Sequence, residues 1–521
     1  MPTPLTITTA INYPNGRPHI GHAYEAIATD AFARAARMMG RDVYFQTGTD
    51  EHGLKVAQAS RARGIEPQQF VDELSSYFKE MDDRLNISYD RFIRTSEPQH
   101  HLASQAIWEA MAANGDLYLD RYEGWYSVRD EAYYDESELV TAEDGQKLSP
   151  HGTPVEWTVE ESWFFRLSAY QDRLLKLYAE RPDFIQPESR RNEILRFVEG
   201  GLRDLSVSRT SFDWGVKVPG SPEHVMYVWV DALTNYLTGC GYPEDAERMA
   251  RYWAEGGDIV HIIGKDIVRF HTVYWPAFLM SAKLPLPHTV FGHGFLLNRG
   301  EKMSKSLGNV VDPMVLAETF GTDPLRYFLL AEVSFGNDGS YSAEAIVQKT
   351  NTDLGNAFGN LAQRTLSFIA KNLEGRLPAP APSTEDEALL AIVREATRNE
   401  VPRAFEAFAP SDAIQAWLHA CFACNAYIDG QAPWALRKTD PARMEAVLAT
   451  LYVAIGELAV AILPVIPASA TALLDQMGVP ASARTYAALA ADWYGALRVD
   501  GFTLTPPKPL FPRLELPAEA A

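Results

Sequence analysis

The sequence predicts an α/β fold, a parallel sheet flanked by helices and interrupted by a small β-rich module, followed by a separate all-α domain. Three observations predict it. Between Leu5 and Gln46 the chain reads as strand, glycine-containing turn, helix and second strand, an order that generates parallel strands with ligand sites at their carboxyl ends. From Leu117 to Glu161 the texture changes to short alternating runs rich in Tyr, Trp, Gly and acidic residues, as in an antiparallel insertion. After Tyr341 strand patterns vanish, and helical runs continue to about Leu474.

A chain of 521 residues exceeds what one core supports, since single cores stop growing at roughly 250–300 residues. The expected division is residues 1–115 for the first half of the α/β domain and 116–220 for the insertion and its return helices. Residues 221–345 then form the second half, and 346–521 a helical domain with a C-terminal tail.

In chain order, Leu5 to Ala10 alternates as a strand, Asn12 to Pro18 is a turn, and Gly21 to Met39 carries helical spacing closed by Gly40. A strand over Asp42 to Gln46 follows, then helices over Lys55 to Arg63, Gln68 to Leu85 and Gln99 to Asn114. Beyond the insertion, helices over Phe165 to Glu180 and Arg190 to Gly201 lead back. The second half shows a strand over Val225 to Val230, a helix over Asp231 to Thr238, a strand over Ile259 to Ile263, a helix over Ile267 to Ala282 and a strand over Thr289 to Gly292. The Pro-rich stretch Leu377 to Ser383 breaks the helical region.

Composition narrows the function classes. An apolar share of 46% and a charged share of 22% are those of a globular protein. Met1 to Leu5 lacks the charged and apolar regions of an export signal, and Ala446 to Leu474 is interrupted by Glu457, Pro464 and Pro467, so no membrane span is expected. Three cysteines, Cys240, Cys421 and Cys424, fit a reducing compartment, and a cytoplasmic location is expected. Cys421 and Cys424 form a lone CxxC in a helical run, which reads as small buried side chains. A net charge of −21 excludes a protein that coats nucleic acid with a general basic surface, so any RNA site is a local patch.

Two motifs carry chemistry. His19-Ile20-Gly21-His22 lies where the first turn enters the first helix, a place whose free N–H groups and dipole make an anion site. Gly21 has no Cβ to hold a nucleotide away, and the two imidazoles can donate to phosphate oxygens as charge builds. Alone, a His pair at a turn is more often a surface or capping feature. Lys302-Met303-Ser304-Lys305-Ser306, flanked by Gly300 and Gly308, suits a loop that closes two ammonium groups over a triphosphate; alone it reads as a solvated basic turn.

Together and in this order, the two match the HIGH and KMSKS signatures letter for letter, and the sequence resembles the class I aminoacyl-tRNA synthetases. Within them it is similar to the methionyl-tRNA synthetases across nearly the whole chain, through Ala10–Gly16 (AINYPNG), Tyr227–Ala232 (YVWVDA), Ile263–Ile267 (IGKDI), His271–Ala277 (HTVYWPA) and Gln431–Trp434 (QAPW). The resemblance implies a Rossmann-type catalytic domain with a connective insertion and an α-helical anticodon-binding domain. It implies an enzyme that activates L-methionine with Mg2+-bound ATP and transfers it to the 3′ end of tRNA(Met), for initiation and elongation.

The family's methionine-binding residues fall on Ile11, Tyr13, Asp50, Trp229, Ala232, Tyr236, Ile267 and His271, with Asp50 facing the α-ammonium group. Aromatic and aliphatic walls suit a polarizable thioether, and a buried carboxylate needs the cation that the substrate brings. Leu233 stands where many relatives carry proline. The ATP contacts fall on His19, Gly21, His22, Asp266, Lys302 and Lys305, with His19, His22, Lys302 and Lys305 as the catalytic set. The anticodon contacts fall on Asn360, Arg364 and Trp434. Asn360 and Arg364 stand one helical turn apart on one face, and splayed bases are read by stacking and edge hydrogen bonds.

Many relatives hold a zinc knuckle in the insertion, but this sequence has no cysteine before Cys240. Ser127, Asp130, Ser149 and His151 stand in its place and cannot form a thiolate shell, so no structural zinc and no other metal site is expected. The insertion is also too short for the editing domain that isoleucyl, valyl and leucyl synthetases need, and the zinc thiolates expected of a cysteinyl enzyme are missing. A silent paralogue that only binds tRNA would not need the intact His19, His22, Lys302, Lys305 and Asp50. The sequence ends soon after Leu510–Arg513 without an appended dimerising domain, and a monomer is expected.

Overall fold

The computed structural model describes residues 4–517 apart from 131, 143, 299, 304–308, 379–381 and 490–501. The first half of the α/β domain comprises β1 (Leu5–Thr9), α1 (Ile20–Met38), β2 (Val43–Thr49), α2 (Leu54–Arg63), α3 (Pro67–Arg84), β3 (Arg91–Arg94) and α4 (Pro98–Ala113). The insertion carries β4 (Leu117–Ser127), β5 (Ala132–Tyr134), β6 (Val140–Thr141), β7 (Lys147–Leu148) and β8 (Glu156–Phe165). The chain returns through α5 (Gln171–Glu180), β9 (Ile185–Gln186), α6 (Glu188–Glu199), β10 (Leu205–Ser206), β11 (Ser208–Arg209), β12 (Lys217–Val218) and β13 (Ser221–Met226).

The second half holds α7 (Val228–Gly239), α8 (Ala246–Tyr252), β14 (Asp258–Gly264), α9 (Trp275–Ala282), β15 (Thr289–His293), β16 (Leu296–Asn298), β17 (Glu301–Lys302), α10 (Pro313–Phe320), α11 (Thr322–Glu332) and β18 (Gly339–Tyr341). The helical domain comprises α12 (Ala343–Lys349), α13 (Asn360–Asn372), α14 (Thr384–Glu395), α15 (Val401–Glu406), α16 (Pro410–Gln431), α17 (Pro433–Thr439), α18 (Pro441–Ala461), α19 (Pro467–Gln476) and α20 (Tyr486–Leu489).

The central sheet has the order β3-β2-β1-β14-β15-β9, and every neighbouring pair is parallel. β1 and β2 are buried at every position, as strands covered by helices on both faces must be. The carboxyl ends of β1, β2, β14 and β15 therefore rise together and deliver Ala10, Asp50, Lys265 and Gly294 to one edge, where α/β sheets bind ligands. The insertion is an antiparallel sheet, β10-β8-β4-β5, dominated by the long β4–β8 pairing from Leu117/Phe165 to Tyr126/Glu156. Lys302 ends the short antiparallel ladder β16–β17, whose outer neighbour is β18.

Two expected elements differ. The helix expected over Phe165 to Glu180 begins at Gln171, because Phe165 still ends β8. The apolar run Val225 to Val230 is not one strand: β13 ends at Met226 and α7 starts at Val228. α7 is buried on nearly every side, so its apolar residues show no helical stripe and read like a core strand.

The two domains share a core. Arg326 of α11 is fully buried and joins them: it donates to Asp30 Oδ2 of α1 (2.6 Å), the Leu85 carbonyl (3.1 Å), and the Pro464 and Val465 carbonyls (2.9 and 3.0 Å). α18 is long and apolar enough to cross a membrane, and here it is buried within the helical domain.

Candidate active site

The first site feature is the N-terminus of α1. His19 is the N-cap: its Nδ1 accepts the Gly21 N–H (3.1 Å), while His22 Nδ1 accepts the His19 N–H (3.0 Å), a reciprocal box made of two stacked imidazoles. Because both Nδ1 atoms accept, a neutral ring at either position carries its proton on Nε2. Gly21 has a reason beyond nucleotide approach. A Cβ there would sit 2.9 Å from His19 Cε1, so a side chain would push the cap aside. The Ile20 N–H donates to the Val311 carbonyl (2.9 Å), which brings the chain just beyond the Lys302–Ser306 run against the same helix end. Lys305 lies outside the described residues, and of Lys302 only the backbone, in β17, is described.

Beside this helix end lies a cavity of about 30 Å³. Ile11, Asp50, Trp229, Ala232, Tyr236, Ile267 and His271 line it, so seven of the eight residues expected for methionine meet in one place. Tyr13 stands outside the lining and donates its hydroxyl to the His52 carbonyl (3.1 Å). Ala10, Leu233 and Asn235 complete the wall. Leu233 takes its place as an apolar, buried side chain. Asn235 escaped the sequence reading because its work is internal: it accepts from Gln46 Nε2 (2.7 Å) and donates to the Ala232 carbonyl (2.6 Å), fixing the back of the pocket to β2.

The pocket is uncharged apart from Asp50, which is 8% exposed and whose N–H donates to the Asn12 carbonyl (2.9 Å). His271 Nδ1 faces the Ile267 carbonyl (3.0 Å) and must donate to it, so Nε2 accepts the Tyr236 hydroxyl hydrogen (2.7 Å). Burial pulls the His271 imidazole down to about 4, and holds His261, stacked on Tyr236 at 4.0 Å, well below its ordinary range. A neutral floor and aromatic walls suit an apolar, polarizable side chain. The lining is closely packed. Trp229, stacked on Phe270 at 3.8 Å and 5°, is a half-buried part of it.

Asp266 is exposed in the turn after β14, and a Cβ at Gly264 would come within 2.8 Å of its carboxylate. Glu25 and His293 were not legible in advance. His293 donates from Nε2 to Glu25 (2.8 Å) and from Nδ1 to the Gly294 carbonyl (2.8 Å); burial opposes the charged ring, but the carboxylate outweighs it and raises the imidazole above its ordinary range. Glu25 also accepts the Ala10 N–H (2.9 Å), tying α1 to the ends of β1 and β15. Nothing in the spacing of Glu25 and His293 announces the pair.

In the insertion, Asp130 accepts from Ser149 Oγ (2.6 Å), Tyr134 Oη (3.0 Å) and Thr153 Oγ1, while Ser127 and Thr153 share a 2.7 Å hydrogen bond. Thr153, not the His151 ring, completes the cluster; His151 contributes its backbone N–H to Ser149 Oγ (3.1 Å), and its ring lies edge-on to Tyr134. One carboxylate among engaged hydroxyls does not fit a structural zinc shell. Among the described residues no group of three or more His, Cys, Asp or Glu is placed to hold a metal. Cys421 and Cys424 are buried on α16, where burial pushes the Cys424 thiol up to about 12 and Cys421 well above its usual value.

In the helical domain, Arg364 of α13 lies over the Trp434 ring (5.4 Å) and pairs with Asp429 at 2.8 Å. Trp434 is 47% exposed at the start of α17, so it does not cap the bundle. Asn360, exposed, stands one turn before Arg364.

Comparison with known proteins agrees with this geometry. The family model described as tRNA synthetases class I (M) matches residues 5–366, and the anticodon binding domain of methionyl tRNA ligase matches residues 377–518. The methionine–tRNA ligase of Brucella suis is 56% identical over 507 residues, 97% of each chain. That of Mycobacterium tuberculosis is 54% identical over 521 residues, 99% of this chain and 98% of the relative. The solved structure of Mycobacterium tuberculosis methionyl-tRNA synthetase in complex with methionyl-adenylate superposes with a TM-score of 0.94 at 54% identity, covering 98% of this chain and 100% of that one. The chain therefore belongs to the class I tRNA synthetases of the methionyl family.

Proposed function

We infer that the protein is a methionine–tRNA ligase: it activates L-methionine with ATP to methionyl-adenylate and transfers the methionyl group to the 3′ end of tRNA. The observation that carries this is a single carboxylate, Asp50, set in an otherwise uncharged aromatic cavity beside the imidazole-capped N-terminus of α1. The cavity suits a thioether, the carboxylate its α-ammonium group, and the helix end the phosphates.

In the first step a methionine carboxylate oxygen attacks the α-phosphorus of ATP; the bond to the β-bridging oxygen breaks and pyrophosphate leaves. In the second, a terminal ribose hydroxyl of the tRNA attacks the acyl carbon and AMP leaves. No protein nucleophile is required, and catalysis is positioning plus stabilisation of developing charge. Mg2+ travels with ATP, bridging phosphates. In this reading His19, Gly21, His22, Lys302 and Lys305 hold the phosphates, Asp266 the ribose, and Asn360, Arg364 and Trp434 the anticodon of tRNA(Met). The protein works in the cytoplasm as a monomer, without structural zinc and without a membrane. Methionine-dependent ATP–pyrophosphate exchange and charging of tRNA(Met) test the reading; purified protein that exchanges no pyrophosphate with methionine would overturn it.

A further inference from the structure

Below the pocket, three elements meet on one buried carboxylate. Asp231 of α7 binds His52 Nδ1 with one oxygen (2.6 Å) and His100 Nε2 of α4 with the other (2.6 Å), and all three side chains are buried. His100 Nδ1 in turn meets Thr238 Oγ1 (2.9 Å), on the same helix as Asp231. Burial alone would push the Asp231 carboxyl up, but the two imidazoles outweigh it and keep it well below the usual carboxylate range.

His52 is two residues beyond Asp50, in a segment with little freedom left. The Glu51 carbonyl accepts Trp214 Nε1 (2.7 Å), the Glu51 N–H donates to Thr95 Oγ1 (2.8 Å), and the His52 carbonyl accepts the Tyr13 hydroxyl (3.1 Å). The His52 ring lies edge-on to Trp214. Asp231 sits two residues after Trp229 and one before Ala232, both on the pocket lining. The carboxylate thus joins the half of the pocket built from the ends of β1 and β2 to the half built on α7, which the insertion separates widely in the chain. A charge-assisted pair of this kind fixes direction as well as distance, and removing one partner of it strands the other in a dry interior.

We propose that Asp231 is a positioning residue for the amino-acid substrate, acting through His52 to hold Asp50 and Tyr13 in register with the pocket walls carried by α7. The proposal rests on the reading of Asp50 as the partner of the substrate's ammonium group.

The test measures pyrophosphate exchange for Asp231→Asn, His52→Leu, His52→Asn and Asp50→Asn, with KM for methionine, KM for ATP and the inhibition constant of 4-(methylthio)butanoate, which lacks the ammonium group. Asp231→Asn and His52→Leu should raise KM for methionine by about tenfold or more while ATP and the desamino analogue stay within about twofold. His52→Asn, whose amide N–H falls near the place of Nδ1, should recover most of the affinity. The double change Asp231→Asn/His52→Leu should be no worse than Asp231→Asn alone, as expected where the role of His52 depends on Asp231.

A folded Asp231→Asn protein with unchanged methionine KM, or equal losses for methionine and the desamino analogue, overturns the proposal. If Asp231→Asn does not fold, the two His52 variants decide, and equal behaviour of His52→Leu and His52→Asn overturns it. Asp50→Asn separates the two failures. If it leaves the preference for methionine over the desamino analogue intact, the reading of Asp50 falls and the proposal with it; if only Asp50→Asn removes the preference, the proposal alone falls.

Discussion

Tyr236 donates its phenolic hydrogen to His271 Nε2 across 2.7 Å, and it can do so only because the Ile267 carbonyl takes the proton of His271 Nδ1. The pocket floor is thereby locked into one neutral tautomer. Tyr236→Phe removes the donor and leaves a buried acceptor unsatisfied, at a cost of about 1–3 kcal/mol. The expected outcome is a lower melting temperature and weaker methionine binding, by calorimetry, with KM for ATP unchanged.

The same pair sets a pH dependence. The folded His271 imidazole titrates at about 4, below its ordinary 6.5, because burial penalises the charged ring. The unfolded chain therefore binds the extra proton first. The contribution of this group to stability is complete above about 6.5 and is lost as pH falls from there through about 4. The melting-temperature difference between wild type and His271→Gln should shrink over that window and stay constant above it.

Gly21→Ala places a methyl group 2.9 Å from His19 Cε1, and the imidazole has to leave its cap. Loss of an N-cap costs about 0.5–2 kcal/mol, and the Nε2 proposed to contact the phosphates moves with the ring. Adenylate formation, followed by stopped flow, should slow strongly while methionine affinity is retained. A wild-type rate in a folded variant would remove His19 from the phosphate site.

The local units of the fold were legible in the sequence, and the relations across it were not. α1 announced itself by its periodicity, its turn-rich entry and Gly40 just past its end, and the parallel sheet followed from strand–helix–strand order. α7 was shortened because a helix buried all round carries no stripe. In the site, seven residues of the cavity lining were reachable through the family resemblance: Ile11, Trp229, Ala232, Ile267 and His271 lie in the motifs that carry it, and Asp50 and Tyr236 lie outside them. Asp231, His52, His100, Glu25 and His293 were not, because each is an ordinary polar residue whose partner is distant in sequence, and only the fold brings the two together. Thr153 was missed for the same reason: its role in the insertion comes from where the β7–β8 turn puts it.

Asp130 gathers the hydroxyls of Ser149, Tyr134 and Thr153, and hydrogen bonds to a charged group are worth about 1.5–3 kcal/mol each. This hub holds the turn after β4 to the turn before β8. Asp130→Ala should open the insertion to limited proteolysis near residues 127–155. A chelator should leave the melting temperature of the wild type unchanged, and elemental analysis should find no stoichiometric zinc; one zinc per chain would show that a metal holds the module instead.

A protein of net charge −21 that selects one tRNA has no general basic surface to bind it with. The surface proposed for it is local: the Arg364 guanidinium over the half-exposed Trp434 ring, with Asn360 one turn away on the same helix. Asp429 pairs with the same guanidinium and keeps it from spreading into solvent. An unpaired base can stack on the exposed ring and present its edge to the arginine and the amide. Stacking is worth roughly 1–3 kcal/mol per base, so Trp434→Ala should lower kcat/KM for charging tRNA(Met) by about tenfold or more. Methionine-dependent pyrophosphate exchange should barely change, because the cavity around Asp50 is built from the ends of β1, β2 and β14 and from α7, whereas Trp434 stands on α17 in the helical domain. Trp434→Phe keeps an aromatic face and should recover a large part of the loss. A folded Trp434→Ala protein that charges tRNA(Met) normally, or one that loses exchange and charging in equal measure, would remove this surface from anticodon recognition.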